Sequence, residues 1–372
     1  MKKQAKKVIA LFLALTMVIT FGACNTSSTL TKTLTITSPA FTTTVTNAGG
    51  PPDNVSGIFP VTIRTQVNWN DIVTETLDAP PTKILVGGMS MVDFLVYFGL
   101  EDLIYTTVYT GPSWNNLKSG LTGELKTIAE SVPVLNDNYS ISLEEFYVLK
   151  DAGIDMILSG YVTVGYPNDM AAEDFVKEGI PFVYPYYLKY DGTYRVGGGH
   201  LCSSADVFDA YRDLGRILGI GEKVEEYIQD QHRQMNDIIA KIGESKYSGG
   251  RTVLFVAINS RGTYLINYVG NTIEEYVQRS GNNYISEYGT GLITASYETI
   301  LAIDPDIIIY KNSEIGGIPL EEVEALQALK AVRNGTVYAA NLPVTSNSSG
   351  MDLAGDFRTV ASILYPDVDF GA

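Results

Sequence analysis

Two glutamates stand in matching local settings. Glu144 belongs to Ser142-Leu143-Glu144-Glu145-Phe146-Tyr147-Val148-Leu149-Lys150, which leads into Ile154-Asp155-Met156-Ile157-Leu158. Glu298 belongs to Ser296-Tyr297-Glu298-Thr299-Ile300-Leu301-Ala302-Ile303, which leads through Asp304-Pro305-Asp306 into Ile307-Ile308-Ile309-Tyr310. In both, a serine can accept from the free N–H groups of a first helical turn. The acid two residues on sits where the helix dipole favours negative charge. Glu145 has a separate structural use, because Ser142-x-x-Glu145 is a capping box. Paired carboxylates could hydrolyse a glycoside, but that chemistry needs them within about 5–9.5 Å. Two acids at equivalent places in separate halves lie farther apart, which ranks a secreted hydrolase below a binding protein; a surface sensor ranks low as well.

Other reactive side chains are few. His200 and His232 are the only imidazoles, and Cys24 and Cys202 the only thiols. No Cys/His group has zinc spacing, and there is no His-Glu-x-x-His and no Walker-type Gly-Lys-Thr. Gly197-Gly198-Gly199 follows no strand and lacks the spacing of a dinucleotide loop. No catalytic residue and no resident cofactor are predicted. The segment from Tyr184 to His200 holds Tyr184, Tyr186, Tyr187, Tyr190 and Tyr194. So many amphipathic rings suit a contact surface.

The elements that would position these residues follow a βαβ rhythm. The 372 residues exceed one small core, and 45% hydrophobic with 18% charged residues is ordinary globular material. Phe59 to Leu77 alternates as a hairpin. Lys83–Val86, Leu103–Val108, Val132–Leu135 and Gly179–Val183 read as strands. Ser90–Gly99 reads as a helix with Met91, Phe94, Leu95 and Phe98 on one face. Ser203–Leu218 is helical, and Glu222–Ile242 is one long amphipathic helix of roughly 30 Å. The rhythm then returns in Thr252–Ile258, Thr272–Ser280, the Ser296 stretch, a helix over Leu320–Ala331, a strand over Thr336–Ala339, and a helix over Asp352–Leu364.

Before the lobes, Met1–Lys7 is basic and Val8–Phe21 apolar but too short for a stable span. Gly22-Ala23-Cys24 then resembles a bacterial lipobox, with Phe21 where leucine is usual. Residues 1–23 are therefore predicted to be a signal peptide, and Cys24 the lipidated residue of a protein on the extracellular side of the cell membrane. Residues 24–55 are rich in Thr, Ser, Asn and Gly, and are expected to form a flexible tether. The net charge of −16 argues against nucleic-acid or anionic-membrane binding through broad electrostatics.

From Phe59 to Pro366 the chain resembles the substrate-binding lipoproteins of ABC importers that take ferric siderophores, haem or cobalamin. The resemblance rests on four stretches in order: Phe59 to Val86, Ser90 to Val108 with Phe98-Gly99-Leu100-Glu101-Asp102, the two Ser-x-Glu stretches, and Leu326 to Asn341. It implies an α/β fold of two Rossmann-like lobes with mostly parallel sheets, bridged by one long helix. The N-terminal lobe would be 56–202, the helical linker 203–247 and the C-terminal lobe 248–372. It also implies a monomer that carries a chelate to a permease and its ATPase, with Glu144 and Glu298 as the docking acids. The family's usual Pro-Asp is replaced in the first lobe by Asp151-Ala152-Gly153-Ile154-Asp155.

Ligands of open α/β sheets meet the carboxyl ends of the strands. That rule nominates Met89 and Ser90, then Tyr109 and Trp114, then Tyr139 and Tyr161. The second lobe offers Arg261, Tyr264 and Asn347. The tyrosine loop offers Tyr190, Arg195 and His200. Rings with a few arginines suit a large, partly anionic chelate. A ferric siderophore is the expected ligand, with haem or cobalamin as alternatives. His200 or Met89 would touch a metal only in the haem case.

Overall fold

Alternation sets the first elements. The computed structural model describes residues 32–38, 41–47, 59–66, 72–108, 127, 130–136, 141–160, 172–185, 203–258, 264–266, 272–285, 293–312, 322–340, 342 and 350–371. It contains two compact units, Met1–Asp53 and Asn54–Ala372. In the first, β1 (Lys32–Ser38) pairs antiparallel with β2 (Phe41–Asn47), setting Leu34 opposite Val45 and Ile36 opposite Thr43. The tether expected here thus holds a hairpin. Its threonines are β-branched and alternate with Leu34, Ile36 and Val45, a pattern that suits a strand.

The second unit opens with β3 (Val61–Gln66) and β4 (Ile72–Leu77), paired antiparallel from Val61 opposite Leu77. A parallel sheet follows, made of β5 (Ile84–Gly87), β6 (Ile104–Val108), β7 (Val134–Asn136), β8 (Met156–Ser159) and β9 (Phe182–Val183). Its order is β7-β6-β5-β8-β9. The short apolar runs Ile84-Leu85-Val86 and Met156-Ile157-Leu158 are fully buried, as strands covered on both faces must be. Helices α1 (Met89–Tyr97), α2 (Leu143–Asp151) and α3 (Ala172–Lys177) connect them. The β3–β4 hairpin ties to this sheet where the Phe182 N–H donates to Glu75 at 3.3 Å. Burial pushes the Glu75 carboxyl up to about 7 against the pull of that N–H.

Two helices then lead to the second sheet. Helix α4 (Ser204–Ile217) packs on α5 (Gly221–Ile242), whose 22 residues span about 33 Å. In α5, Val224, Tyr227, Ile228, Gln231, Met235 and Ile238 are buried on one face. The second sheet comprises β10 (Thr252–Ile258), β11 (Tyr264–Ile266), β12 (Asn283–Tyr284), β13 (Ile293–Ala295), β14 (Ile307–Asn312) and β15 (Val337–Ala339). Its order is β13-β11-β10-β14-β15, with β12 also on β10. Strands β12, β14 and β15 run parallel to their neighbours, while β11 and β13 are antiparallel. Around it lie α6 (Thr272–Arg279), α7 (Tyr297–Ile303), α8 (Lys330–Arg333) and α9 (Leu353–Leu364).

Among the described residues 322–331, the helix expected over Leu320–Ala331 is not continuous. A three-residue 3-10 turn, Glu324–Leu326, and the four-residue α8 stand there instead. Leu329 is extended at φ −62° and ψ 139°, which breaks the helical path. The Asp304 carboxylate then accepts from the Lys330 N–H at 2.7 Å and restarts it.

One core runs through both lobes. It includes Val86 and Phe94 of the first sheet layer, Tyr211 and Tyr227 of the linking helices, and Val253, Phe255, Ile307 and Ile309 of the second sheet. The opposite face of β10 and β14, with Leu254, Val256, Ile308 and Tyr310, buries against Ile300, Leu326 and Leu329. One direct bond crosses between the lobes, and two more tie the bridging helix α5 to the C-terminal lobe. The Asp93 carboxylate of α1 accepts from the Met351 N–H at 2.9 Å, and the Tyr227 hydroxyl donates to the Met351 carbonyl at 2.6 Å. Gln231 accepts from the Ala354 N–H at 2.8 Å. Burial raises the Asp93 carboxyl against the opposing effect of the Met351 N–H.

Candidate functional sites

The two Ser-x-Glu stretches form capped helices, one in each lobe. Ser142 Oγ accepts from the Glu145 N–H at 3.2 Å, while Glu145 takes the Ser142 N–H and hydroxyl at 2.8 Å each. Ser296 Oγ accepts from the Thr299 N–H at 3.2 Å. Phe146 and Leu149 turn α2 into its lobe, and Ile300 does so for α7. Glu144 and Glu298 are therefore left on the exposed sides. Neither acid forms an ion pair among the described residues. The Ser296 hydroxyl and its own backbone N–H hold the Glu298 carboxyl below the usual range.

The strands that follow these helices are anchored by equivalent acids. Asp155 accepts from the Thr82 N–H and hydroxyl at 2.7 Å each and from the Lys83 N–H at 3.0 Å. Asp306 accepts from the Thr252 N–H and hydroxyl at 2.8 Å each and pairs with Lys330 at 2.7 Å. Each acid thus pins the start of its lobe's first sheet strand. The substitution of Asp151-Ala152-Gly153-Ile154-Asp155 for Pro-Asp leaves this contact in place.

The nominated ligand residues divide into two groups. Met89 and Ser90 open α1 directly beyond β5. Tyr264 opens β11 opposite Ile258, the last residue of β10, so it too stands at a strand's carboxyl end. Tyr109, Trp114, Tyr139, Tyr161, Tyr190, Arg195, His200, Arg261 and Asn347 lie outside the described residues, as does Cys24. Within the tyrosine-rich segment Tyr184 is described, and it is core rather than contact surface.

Around Ser90 the backbone is closely drawn. Strand order reverses between β5 and β8, the switch point at which open sheets hold ligands. There the Gly160 N–H donates to the Gly87 carbonyl at 2.7 Å. A Cβ on Gly87 would lie 2.9 Å from Ser159 Oγ, and one on Gly160 would lie 2.9 Å from Ser90 Oγ. Gly88, at φ 87°, caps α1 with no side chain, and the first turn holds no acid. Ser90 Oγ is buried and has no hydrogen-bond partner among the described residues. An uncapped helix start beside an unsatisfied hydroxyl favours an oxygen-rich or anionic group. No cluster of metal-ligating side chains occurs among the described residues, and no described helix is long and apolar enough to cross a membrane.

Two α/β lobes with mostly parallel sheets on a shared long helix define a class of binding proteins. The sequence profile described as "periplasmic binding protein" matches residues 155–341, and the chain belongs to that family. Its fold is similar to a periplasmic binding protein of Veillonella parvula at TM-score 0.63 and 19% identity, covering 83% of this chain and 92% of that one. An ABC-type Fe3+-hydroxamate transport protein of Saccharomonospora viridis matches at 0.60 and 17%, covering 82% and 99%. A periplasmic heme-binding protein of Roseiflexus sp. RS-1 matches at 0.56 and 12%, covering 77% and 98%. No curated protein matches the sequence.

Sequence reasoning passed over the side chains around Glu144. Leu143, Tyr147 and Val148 are exposed although apolar. Their signal was available: with Phe146 and Leu149 they make α2 apolar nearly all round, more than a surface helix needs.

Proposed function

We propose that this chain is the substrate-binding component of an ABC importer, tethered outside the cell membrane through a lipid on Cys24. It holds a ferric siderophore at the carboxyl ends of its strands and delivers it, as a monomer, to a permease with its ATPase. The observation that carries this reading is the pair Glu144 and Glu298, each exposed on the first turn of a serine-capped helix, one per lobe of a periplasmic binding protein fold. Ser90 at the switch point supports an oxygen-rich ligand. The Saccharomonospora viridis and Roseiflexus neighbours, described as Fe3+-hydroxamate and heme proteins, support a metal chelate. Binding and release involve no bond-breaking, and no enzymatic step is assigned.

Quenching of tryptophan fluorescence by a ferric hydroxamate, haemin and cobalamin tests the ligand class. Submicromolar binding of the ferric hydroxamate is expected; failure of all three would remove the chelate reading. Glu144→Ala with Glu298→Ala is expected to keep that affinity and to abolish uptake into cells. A large loss of affinity in this double variant would instead place the acids in the ligand site.

A further inference from the structure

The chain carries 42 acidic and 26 basic residues, so a cation without a carboxylate needs a reason. Arg212, Arg216, Arg233 and Arg279 each pair with an acid on their own or a neighbouring helix. Arg358 of α9 forms no ion pair among the described residues. Its Nη2 donates to the neutral Gln234 Oε1 at 3.2 Å, and its Nε is buried with no hydrogen-bond partner among those residues. Gln234 is held in that pose because its own amide NH2 donates to Asp230 at 2.7 Å. Lys241, about two turns farther along α5, also lacks a carboxylate partner among the described residues. Its ammonium donates to the Asp369 carbonyl at 3.0 Å. Both cations border one cavity of about 360 Å³, lined also by Gln234, Asp237, Ile238 and Phe370. Ile238 and Phe370 are buried and give it an apolar wall. Asp237 is the acid of the lining, and no ion pair among the described residues joins it to either cation.

We propose that this cavity is a second ligand site, which takes a small organic carboxylate with a compact apolar body. The carboxylate pairs with Arg358 and Lys241, and the body lies on Ile238 and Phe370. A guanidinium presents its N–H donors in a planar fork that matches the two oxygens of a carboxylate. Gln234 offers that fork a single neutral oxygen, which leaves the Nε N–H desolvated and unmatched. Such a loss costs more on a charged group than on a neutral one. A carboxylate that replaces the Gln234 oxygen supplies the missing acceptor. Two cations and one acid in the lining balance one negative charge, whereas a phosphate dianion would leave a surplus beside Asp237. The volume falls in the range of small-molecule pockets. The site is separate from the strand ends, because its lining comes from α5, α9 and the stretch after α9. It therefore does not rest on the importer role. An occupant clamps the bridging helix α5 to α9, so it stabilises the joint between the bridge and the C-terminal lobe.

Isothermal titration and thermal melting of the full chain with sodium benzoate test this, with benzamide as the neutral control and inorganic phosphate as the tetrahedral one. Wild type is expected to bind benzoate at low millimolar affinity or better and to melt higher in its presence. Benzamide and phosphate should bind about tenfold or more weakly. Arg358→Gln should weaken benzoate about tenfold or more, and Lys241→Met by a smaller factor. Asp237→Asn removes a like charge and should tighten it. Ferric-hydroxamate affinity should be unchanged in all three variants, and benzoate should still bind with the hydroxamate in excess. If Arg358→Gln fails to fold, Arg358→Lys keeps the charge, loses the fork and carries the same expectation. Absence of benzoate binding by wild type, or a benzoate affinity that survives loss of the Arg358 fork, would overturn the proposal. Equal binding of benzamide or phosphate would overturn the carboxylate class. Displacement of benzoate by the ferric hydroxamate would move it to the strand ends and overturn the second site. Benzoate binding that appears only after Gly371 and Ala372 are deleted would give the cavity to the chain's own tail and overturn it too. Failure of the hydroxamate to bind, with benzoate bound as expected, would remove the chelate reading and leave this site supported.

Discussion

In the N-terminal lobe Ser142 and Glu145 close a reciprocal cap over α2, whereas in the C-terminal lobe Ser296 faces Thr299 at the start of α7. Helix α2 runs nine residues, with Phe146 and Leu149 buried. Helix α7 runs seven, with Ile300 buried, and ends where Asp304 adopts φ 40° before Pro305. The shared features are those that present an acid: a serine cap, a first-turn glutamate and a buried residue two positions later. The features that differ set how much surface surrounds that acid. A longer, better-capped helix on a large aromatic anchor can carry an apolar face outward. A short helix packed on its core through Leu301 cannot.

The anchors give the largest test of this contrast. Phe146→Ala is expected to cost about 3–5 kcal/mol and Ile300→Ala about 2–5 kcal/mol, through lost burial and the cavity left behind. Urea unfolding followed by circular dichroism measures both. If Phe146→Ala proved the milder, the aromatic anchor would not be what holds α2. The caps come next. Ser142→Ala removes an acceptor and also frees Glu145, so about 1–2 kcal/mol is expected, against about 0.5–1 kcal/mol for Ser296→Ala. Equal losses would show that the reciprocal cap adds nothing to the single one.

The lobes, the bridging helix and both acid-bearing helices were legible in the sequence because each rests on a local pattern. Helix α5 shows a helical apolar stripe, β8 and β14 are unbroken apolar runs, and serine with a first-turn acid marks α2 and α7. What was not legible depends on the partner across space. Five apolar residues from Leu143 to Leu149 surround α2, so periodicity alone could not tell Phe146, which is core, from Tyr147 and Val148, which are not. The stretch from Leu320 to Ala331 has helical composition, but Asp304, from a distant segment, fixes where the helix starts. Threonine-rich chain at Lys32–Asn47 looked like tether because few apolar residues are there to bury, yet strand pairing needs only backbone and alternation. Of the nominated ligand residues, Ser90 and Tyr264 show how far the strand-end rule reaches. It places them at strand ends without telling what they touch.

The smallest expected effect concerns the acids that pin the strands, where the lobes again differ. Asp155 is held by backbone and hydroxyl donors at Thr82 and Lys83, while Asp306 adds the Lys330 ammonium. Burial pushes the Asp306 carboxyl upward, but Lys330 and the Thr252 N–H and hydroxyl outweigh it and bring the pKa from 3.8 to about 2. A carboxyl whose folded pKa lies below its unfolded value stabilises the fold above the unfolded value. That contribution disappears as pH falls from near 4 through about 2, because the folded form must then also take up the proton. Solvent screening at this half-buried site leaves about 1 kcal/mol. The stability gap between wild type and Asp306→Asn should accordingly be widest near neutral pH and narrow below pH 4. Lys330→Met should shift that narrowing toward higher pH, because the backbone and hydroxyl donors alone depress the carboxyl less. A gap independent of pH would mean that Asp306 acts through hydrogen-bond geometry alone, and the difference in charge between the two strand anchors would then have no energetic consequence.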